Sequence, residues 1–369
     1  MFKRTLIAAS LTVAALASAQ AMAVTGGGAT LPAALYKGSA DSILPANFSY
    51  AAVGSGAGKT AFLTNVATGF GATGTVHFAG SDSVLSASDI STYNSAFGAS
   101  YGPLIQLPSV ATSVAIPYKK SGQTALNLTS AQLCDAFSGT VTTWGGLLGT
   151  ADTTPIRIVY RNVSSGTSEI LTRHLNAVCP TKFTTNSTFV NARPAGSTLP
   201  SNWVGVAGTA DVAPTVAAVD GSLGYVGPDG VDATSNALVS RINNVQPTSA
   251  NVALALASVT PPATAALAAD PTRWSPVVAN PAIGYKLAAY TNLIVGQCYK
   301  DAAVANDVKA FLTTHYNTTT NDLAVKNHGF VTVPSAWKTK VYETFVSNAT
   351  GYNLNINNTS VCNTIGRPL

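Results

Sequence analysis

Charge is what this chain has least of: 9% of its 369 residues are Asp, Glu, Lys or Arg, and the formal net charge is +5. No run of Lys or Arg occurs, and Lys3 and Arg4 sit in a segment that reads as removable, which leaves +3 on the rest. That is a weak attraction for anions and no footprint for nucleic acid. Histidine and cysteine are also scarce, at four each, and Cys134, Cys179, Cys298 and Cys362 contain no C-x-x-C pair. No metal site or cofactor is expected from so dispersed a set; in an exported chain four such cysteines favour two disulfides, with three pairings open. Long apolar runs are missing too. The most apolar stretch, Val252 to Ala269, is broken by Ser258, Thr260 and Pro261-Pro262, so it does not read as a bilayer span.

What the chain does have is small and hydroxylated. Hydrophobic residues make up 46% and aromatics 8%, the profile of a compact Ala/Thr/Ser-rich exported protein, and the length exceeds one comfortable core and points to two lobes. Residues 1–23 read as a secretory signal: Lys3 and Arg4, an apolar stretch from Leu6 to Leu16, and Ala21-Met22-Ala23 as the cleavage site, giving a mature start at Val24. A cut after Ala17-Ser18-Ala19 is the other option. No cysteine stands at either cut, so no lipid anchor is expected.

Strand-like and helix-like segments alternate as in parallel α/β layers. Phe48 to Val53 reads as a strand running into a helix that ends near Thr68, and His77 to Ser81 as a strand ending on Asp82. Ile156 to Tyr160 is a β-branched strand, followed by a loop and a helix from Gly166 to Ala177. Later, Asp301 to Tyr316 and Ser335 to Asn348 read as helices, the first with Val304, Val308, Phe311 and Leu312 at core spacing.

Four segments carry the chemistry: Gly28-Ala29-Thr30-Leu31, Gly54-Ser55-Gly56-Ala57-Gly58, Gly80-Ser81-Asp82-Ser83 and Arg161 through Thr167. Each places Gly and hydroxyl residues where a helix is expected to begin. Helix N-termini offer unpaired N–H groups and the positive end of the backbone dipole, so several of them converging make an anion cage with few charged side chains. Arg161 adds a planar cationic fork. Taken singly each segment is an ordinary cap or turn; four in one chain favour the cage.

Gly26-Gly27-Gly28-Ala29-Thr30-Leu31-Pro32, Val53-Gly54-Ser55-Gly56-Ala57-Gly58, Phe78-Ala79-Gly80-Ser81-Asp82, and Tyr160-Arg161 with Ser164-Ser165-Gly166-Thr167 resemble, in order and spacing, the phosphate-binding proteins of ABC-type phosphate transporters. Pro108 to Pro117, Phe137 to Trp144 and Val361 to Pro368 resemble the DING subgroup within them. The resemblance implies an α/β, two-lobed, hinged periplasmic binding protein type II fold with the ligand in the cleft. Lobe one would comprise residues 24–115 with 286–369, and lobe two residues 116–285. Donors to phosphate would be Thr30, Leu31, Ser55, Arg161, Ser165, Gly166 and Thr167, with Asp82 accepting the proton that phosphate carries near neutral pH. Sulfate has no such proton. The implied lobes favour Cys134–Cys179 and Cys298–Cys362 as the disulfides. A periplasmic or secreted monomer is expected, with inorganic phosphate as ligand and the membrane permease of an ABC transporter as partner.

Two positions depart from the family pattern. Val163 stands where the family usually has an acidic residue to pin the arginine, and the mature start Val24-Thr25-Gly26 lacks the Asp-Ile-Asn of the DING name. Two other readings stay open: a secreted phosphatase of the same fold, for which no metal cluster or base beside Ser165 is visible, and an extracellular interaction protein.

Overall fold

The computed structural model describes residues 24–369, so the signal segment and its cleavage after Ala23 lie outside the described residues. Two larger sheets organise the chain, beside a two-stranded pair formed by Asn127–Leu128 and Arg241–Ile242. The larger has six strands in the order Val331–Thr332, Leu104–Ser113, Ala288–Gly296, Phe78–Ser81, Gly26–Gly28 and Ala51–Ala52. Its last three run parallel to one another, while Ala288–Gly296 runs antiparallel to both Phe78–Ser81 and Leu104–Ser113. The smaller has four strands in the order Tyr118–Lys119, Ser222–Gly224, Arg157–Arg161 and Val204–Val206, with Arg157–Arg161 parallel to both its neighbours.

The glycine triplet of the first strand is required by packing. A Cβ at Gly26 would fall 2.2 Å from the Phe78 ring, and one at Gly28, whose φ is +136°, would fall 2.1 Å from the Gly80 carbonyl oxygen. The first strand and its neighbour Phe78–Ser81 therefore approach more closely than any larger residue allows. Parallel strands deliver their C-terminal edges to one side, which is where loops and helix N-termini gather in open α/β sheets.

Each sheet has its own core. Trp274, Trp337, Phe345, Phe311 and Phe78 fill the first, and Trp144, Phe137, Phe189, Tyr225 and Tyr285 the second. The helix Ala302–Asn317 buries Val304, Val308, Phe311 and Leu312, the stripe its spacing predicts. The helix Ser335–Val341 follows and continues as a π turn through Tyr342–Val346. The two long strands Leu104–Ser113 and Ala288–Gly296 form the spine between the cores: past Ser113 the chain bridges Ala115 to Val226 in the second layer, and Leu287 and Ala289 pack there as well. Residues 265–274, which the sequence reading puts in the second lobe, pack instead into the first core. Trp274 lies 4.7 Å from Phe345 between ring centroids, and the Gln106 side chain donates to the Pro271 carbonyl at 3.1 Å. Spacing alone does not show that this excursion doubles back.

Disulfides tie each core to a distant segment. Cys134–Cys179 joins the helix Ser130–Ser138 to the end of the helix Gly166–Val178, and Cys298–Cys362 anchors the C-terminal return beside the spine. Closing loops of 45 and 64 residues stabilises the fold by about 4 kcal/mol each in the chain-entropy picture.

One polar contact joins the two layers away from the strand edges. His328, on the first, meets Asp41 at 3.1 Å through Nε2 and Asp229, from the second, at 2.9 Å through Nδ1. Burial alone would lower the imidazole, yet the hydrogen bonds and charges of Asp229 and Asp41 raise it above its ordinary 6.5. A raised histidine contributes stability fully below its unfolded value and loses it as pH rises through the folded one. His328→Gln is therefore expected to lower the melting temperature by a few degrees near about pH 6 and to be neutral near about pH 9. Equal losses at both pH values would show that the contact works by packing alone.

Candidate anion-binding site

Two helices begin at the seam between the layers, and neither is capped by its own side chain. The helix Ser55–Thr64 starts after Gly54 and the helix Gly166–Val178 after Ser165, with no side-chain cap on either. Elsewhere Thr129, Thr143 and Thr248 cap their helices in the ordinary way. At the seam the hydroxyls turn to other partners, so first-turn N–H groups face across the cleft.

The two helix starts meet. Ser55 Oγ accepts from the backbone N–H of Gly166 at 3.2 Å and of Asp82 at 3.1 Å, and donates to Asp82 Oδ2 at 3.4 Å. Contact is close enough that a Cβ at Gly166 would lie 2.2 Å from that of Asp82, and one at Gly56 would lie 2.1 Å from the Ser164 hydroxyl. Here glycine is needed for the approach of one layer to the other. Beside Thr30, Leu31 is buried with its side chain against Gly227 of the opposite layer.

Arg161 ends the strand Arg157–Arg161 and is 1% exposed. Its backbone N–H donates to the Tyr225 hydroxyl at 2.8 Å, and its Nε donates to the Ala207 carbonyl at 2.9 Å, with Nη2 on the same oxygen. Nη1 donates to the hydroxyls of Thr30 at 2.9 Å, Ser165 at 3.1 Å and Thr209 at 3.2 Å. Val163 is partly exposed, so the fork is oriented by a carbonyl and three hydroxyls where the family pattern has an acid. Neutral partners fix the geometry without cancelling the charge.

Asp82 follows the strand Phe78–Ser81 and is 2% exposed. Burial pushes its carboxyl up to about 6, against the opposing pull of the Thr291 hydroxyl, the Arg161 charge and the Ser55 hydroxyl. Its Oδ1 and the Thr167 Oγ1 are both fully buried with no protein partner. A carboxylate oxygen accepts and a hydroxyl can donate, so the patch offers an acceptor, several donors and one cation to a small anion that carries a proton.

The structure thus brings the six residues together as two hydrogen-bonded groups, Thr30 and Ser165 around Arg161, and Asp82 and Gly166 around Ser55, joined by the Ser165–Gly166 peptide bond, with Leu31 and Thr167 adjoining along the chain. The four cysteines lie elsewhere, in their disulfides. Sequence reasoning missed the loop that supplies Ala207 and Thr209. Its signal was present: Gly208-Thr209 and Asp211 stand between the strand Val204–Val206 and the helix Val212–Ala217, the same device as the four segments identified.

Residues 14–314 match the family described as the PBP superfamily domain. A Pseudomonas aeruginosa protein named "Alkaline phosphatase L" is 67% identical over the full length of both chains. Among solved structures, a phosphate-binding protein from Stenotrophomonas maltophilia matches with a TM-score of 0.88 at 45% identity, covering 95% of this chain and all of that one. A high-affinity periplasmic phosphate-binding protein, PfluDING, bound with phosphate, matches with a TM-score of 0.86 at 44% identity, covering 94% and 100%.

Proposed function

The chain belongs to the PBP superfamily, alongside the DING proteins, and on that premise we propose that it binds one inorganic orthophosphate with high affinity between its two lobes. The observation that carries this is the pair of buried polar atoms without a protein partner, Asp82 Oδ1 and Thr167 Oγ1, set among donors held in place by both layers. Leaving two such atoms unsatisfied costs stability that a bound, protonated anion restores. Thr30, Leu31, Ser55, Arg161, Ser165, Gly166 and Thr167 donate, and Asp82 accepts. The lobes divide near 115/116 and 285/286, with the excursion through 265–274 returning to the first. Calorimetry on protein stripped of phosphate by unfolding and refolding is expected to give one site with micromolar or tighter affinity, about −8 kcal/mol or beyond. Saturable binding of a sugar or amino acid with no response to phosphate would overturn the reading.

The protein acts as a receptor and not as a phosphatase, despite the name its Pseudomonas relative carries. Hydrolysis needs an activated nucleophile, and none of the four histidines hydrogen-bonds a hydroxyl of the site. Ser55 Oγ accepts from two backbone N–H groups, and Ser165 Oγ accepts from Arg161, which is no base. The four histidines are engaged elsewhere: His77 accepts from Thr25, His174 meets Ser130 and Ala279, His315 meets Ser109 and Asn321, and His328 sits between its aspartates. Phosphomonoester turnover by the wild type is expected to equal that of Ser165→Ala and Arg161→Ala purified identically. Turnover lost in both folded variants would favour the enzyme. Among the described residues no helix is long and apolar enough to cross a membrane. Periplasmic or secreted delivery of phosphate, as a monomer and to a membrane permease, fits the family.

A further inference from the structure

We propose that Thr209 is a positioning residue for the anion site, one that aims the Thr30 hydroxyl and ties the two lobes together over Arg161. The inference rests on phosphate being the ligand. Thr209 is 8% exposed on a loop whose neighbours Ala207, Ala210 and Asp211 are exposed, so it alone turns inward there among these four. The loop is braced from within: Gly208 N–H donates to the Asp211 carboxylate at 3.0 Å, and Val212 N–H to the Thr209 carbonyl at 3.3 Å. Its Ala207 carbonyl receives two arms of the guanidinium, and the Thr209 hydroxyl receives the third.

Thr209 Oγ1 also lies 2.8 Å from Thr30 Oγ1, which comes from the other layer. A threonine hydroxyl has one proton and two lone pairs. If Thr209 donates to Thr30, then Thr30 accepts from both Thr209 and Arg161, both its lone pairs are filled, and its own proton must point away from them, toward a bound anion. The opposite assignment would spend the Thr30 proton on Thr209 and leave the anion facing lone pairs, which phosphate binding disfavours. Neighbouring hydrogen bonds in such a chain strengthen one another. The same contact is made only when the layers are together, so it resists opening.

The test uses Thr209→Val, which keeps the shape and removes the hydroxyl, beside Thr209→Ser, which keeps the hydroxyl. Phosphate affinity, dissociation rate and melting temperature are measured on the full mature chain. Thr209→Val is expected to bind about tenfold more weakly, chiefly through faster dissociation, with Thr209→Ser within about twofold of wild type. Thr30→Val with Thr209→Val together is expected to be no weaker than Thr30→Val alone within about twofold, since one hydroxyl acts through the other. Unchanged affinity in Thr209→Val, even with a lower melting temperature, would overturn the proposal, as would additive effects or a serine variant as weak as the valine one. Thr209→Ala carries the same expectation should valine disturb the fold. Failure of the wild type itself to bind phosphate would strike the functional reading instead, before any variant is compared.

Discussion

Arg161→Ala is expected to weaken phosphate binding close to a thousandfold, about 4 kcal/mol, the cost typical of removing one partner from a buried, hydrogen-bonded charge pair. The guanidinium is 1% exposed and organises the site as well as charging it. Three hydroxyls, from Thr30, Ser165 and Thr209, are oriented by Nη1, and the Ala207 carbonyl is held by Nε and Nη2. Removing it leaves donors that no longer converge and an aspartate with no opposite charge to offset it. Arg161→Lys separates the two contributions: the charge remains while the fork is lost, so an intermediate loss, about thirtyfold, is expected. Calorimetry with melting curves measures both. A lysine variant as tight as wild type would mean that charge alone matters and that the clamp around the guanidinium is incidental.

Asp82→Asn is expected to move selectivity and stability in opposite directions. A carboxylate oxygen without a protein partner can accept the proton of a protonated phosphate and repels the bare oxygen of sulfate. The amide can donate to either, so the phosphate-to-sulfate affinity ratio is expected to fall by about a hundredfold, through weaker phosphate and stronger sulfate binding. Without phosphate, the sign for stability is set by the raised carboxyl. Its folded value of about 6 lies above the ordinary 3.8, so the fold prefers the protonated form, and stability is lost as pH rises between those values. Above that window ionised Asp82 costs about 3 kcal/mol, which the asparagine variant does not incur. The variant is expected to melt higher than wild type near neutral pH and to match it near about pH 4. An unchanged anion ratio would place discrimination in the backbone donors. A melting difference that ignored pH would mean that Asp82 is not strained by its burial.

The legible part of the site was the part written in short, contiguous strings. Ser55, Asp82, Ser165, Gly166 and Thr167 each stand directly after a strand or at the first turn of a helix, in runs of Gly and hydroxyl residues whose local conformational demands are visible in the chain. What was not legible was pairing across distance. Nothing in the string says that the Ala207 carbonyl, 46 positions along, takes over the work of an acid at position 163, or that Thr209 reaches Thr30 across 179. The same holds for His328, 287 positions from Asp41, and for Trp274, which rejoins a core that the order of the chain assigns elsewhere.

By itself, then, the sequence determined the α/β character of this protein and marked the Gly- and hydroxyl-rich strings around Thr30, Ser55, Asp82 and Arg161, because each is a matter of local composition and backbone freedom, while the roles proposed for Asp82 and Arg161 toward an anion came from the family resemblance. Only the tertiary structure decided how that arginine is aimed and which hydroxyls it aligns. It also decided where the two layers touch and which atoms are left without partners. Those outcomes depend on sheets closing over one another, where the burial of Arg161 and Asp82 raises the stakes of every hydrogen bond, and burial of that kind is a property of the folded whole.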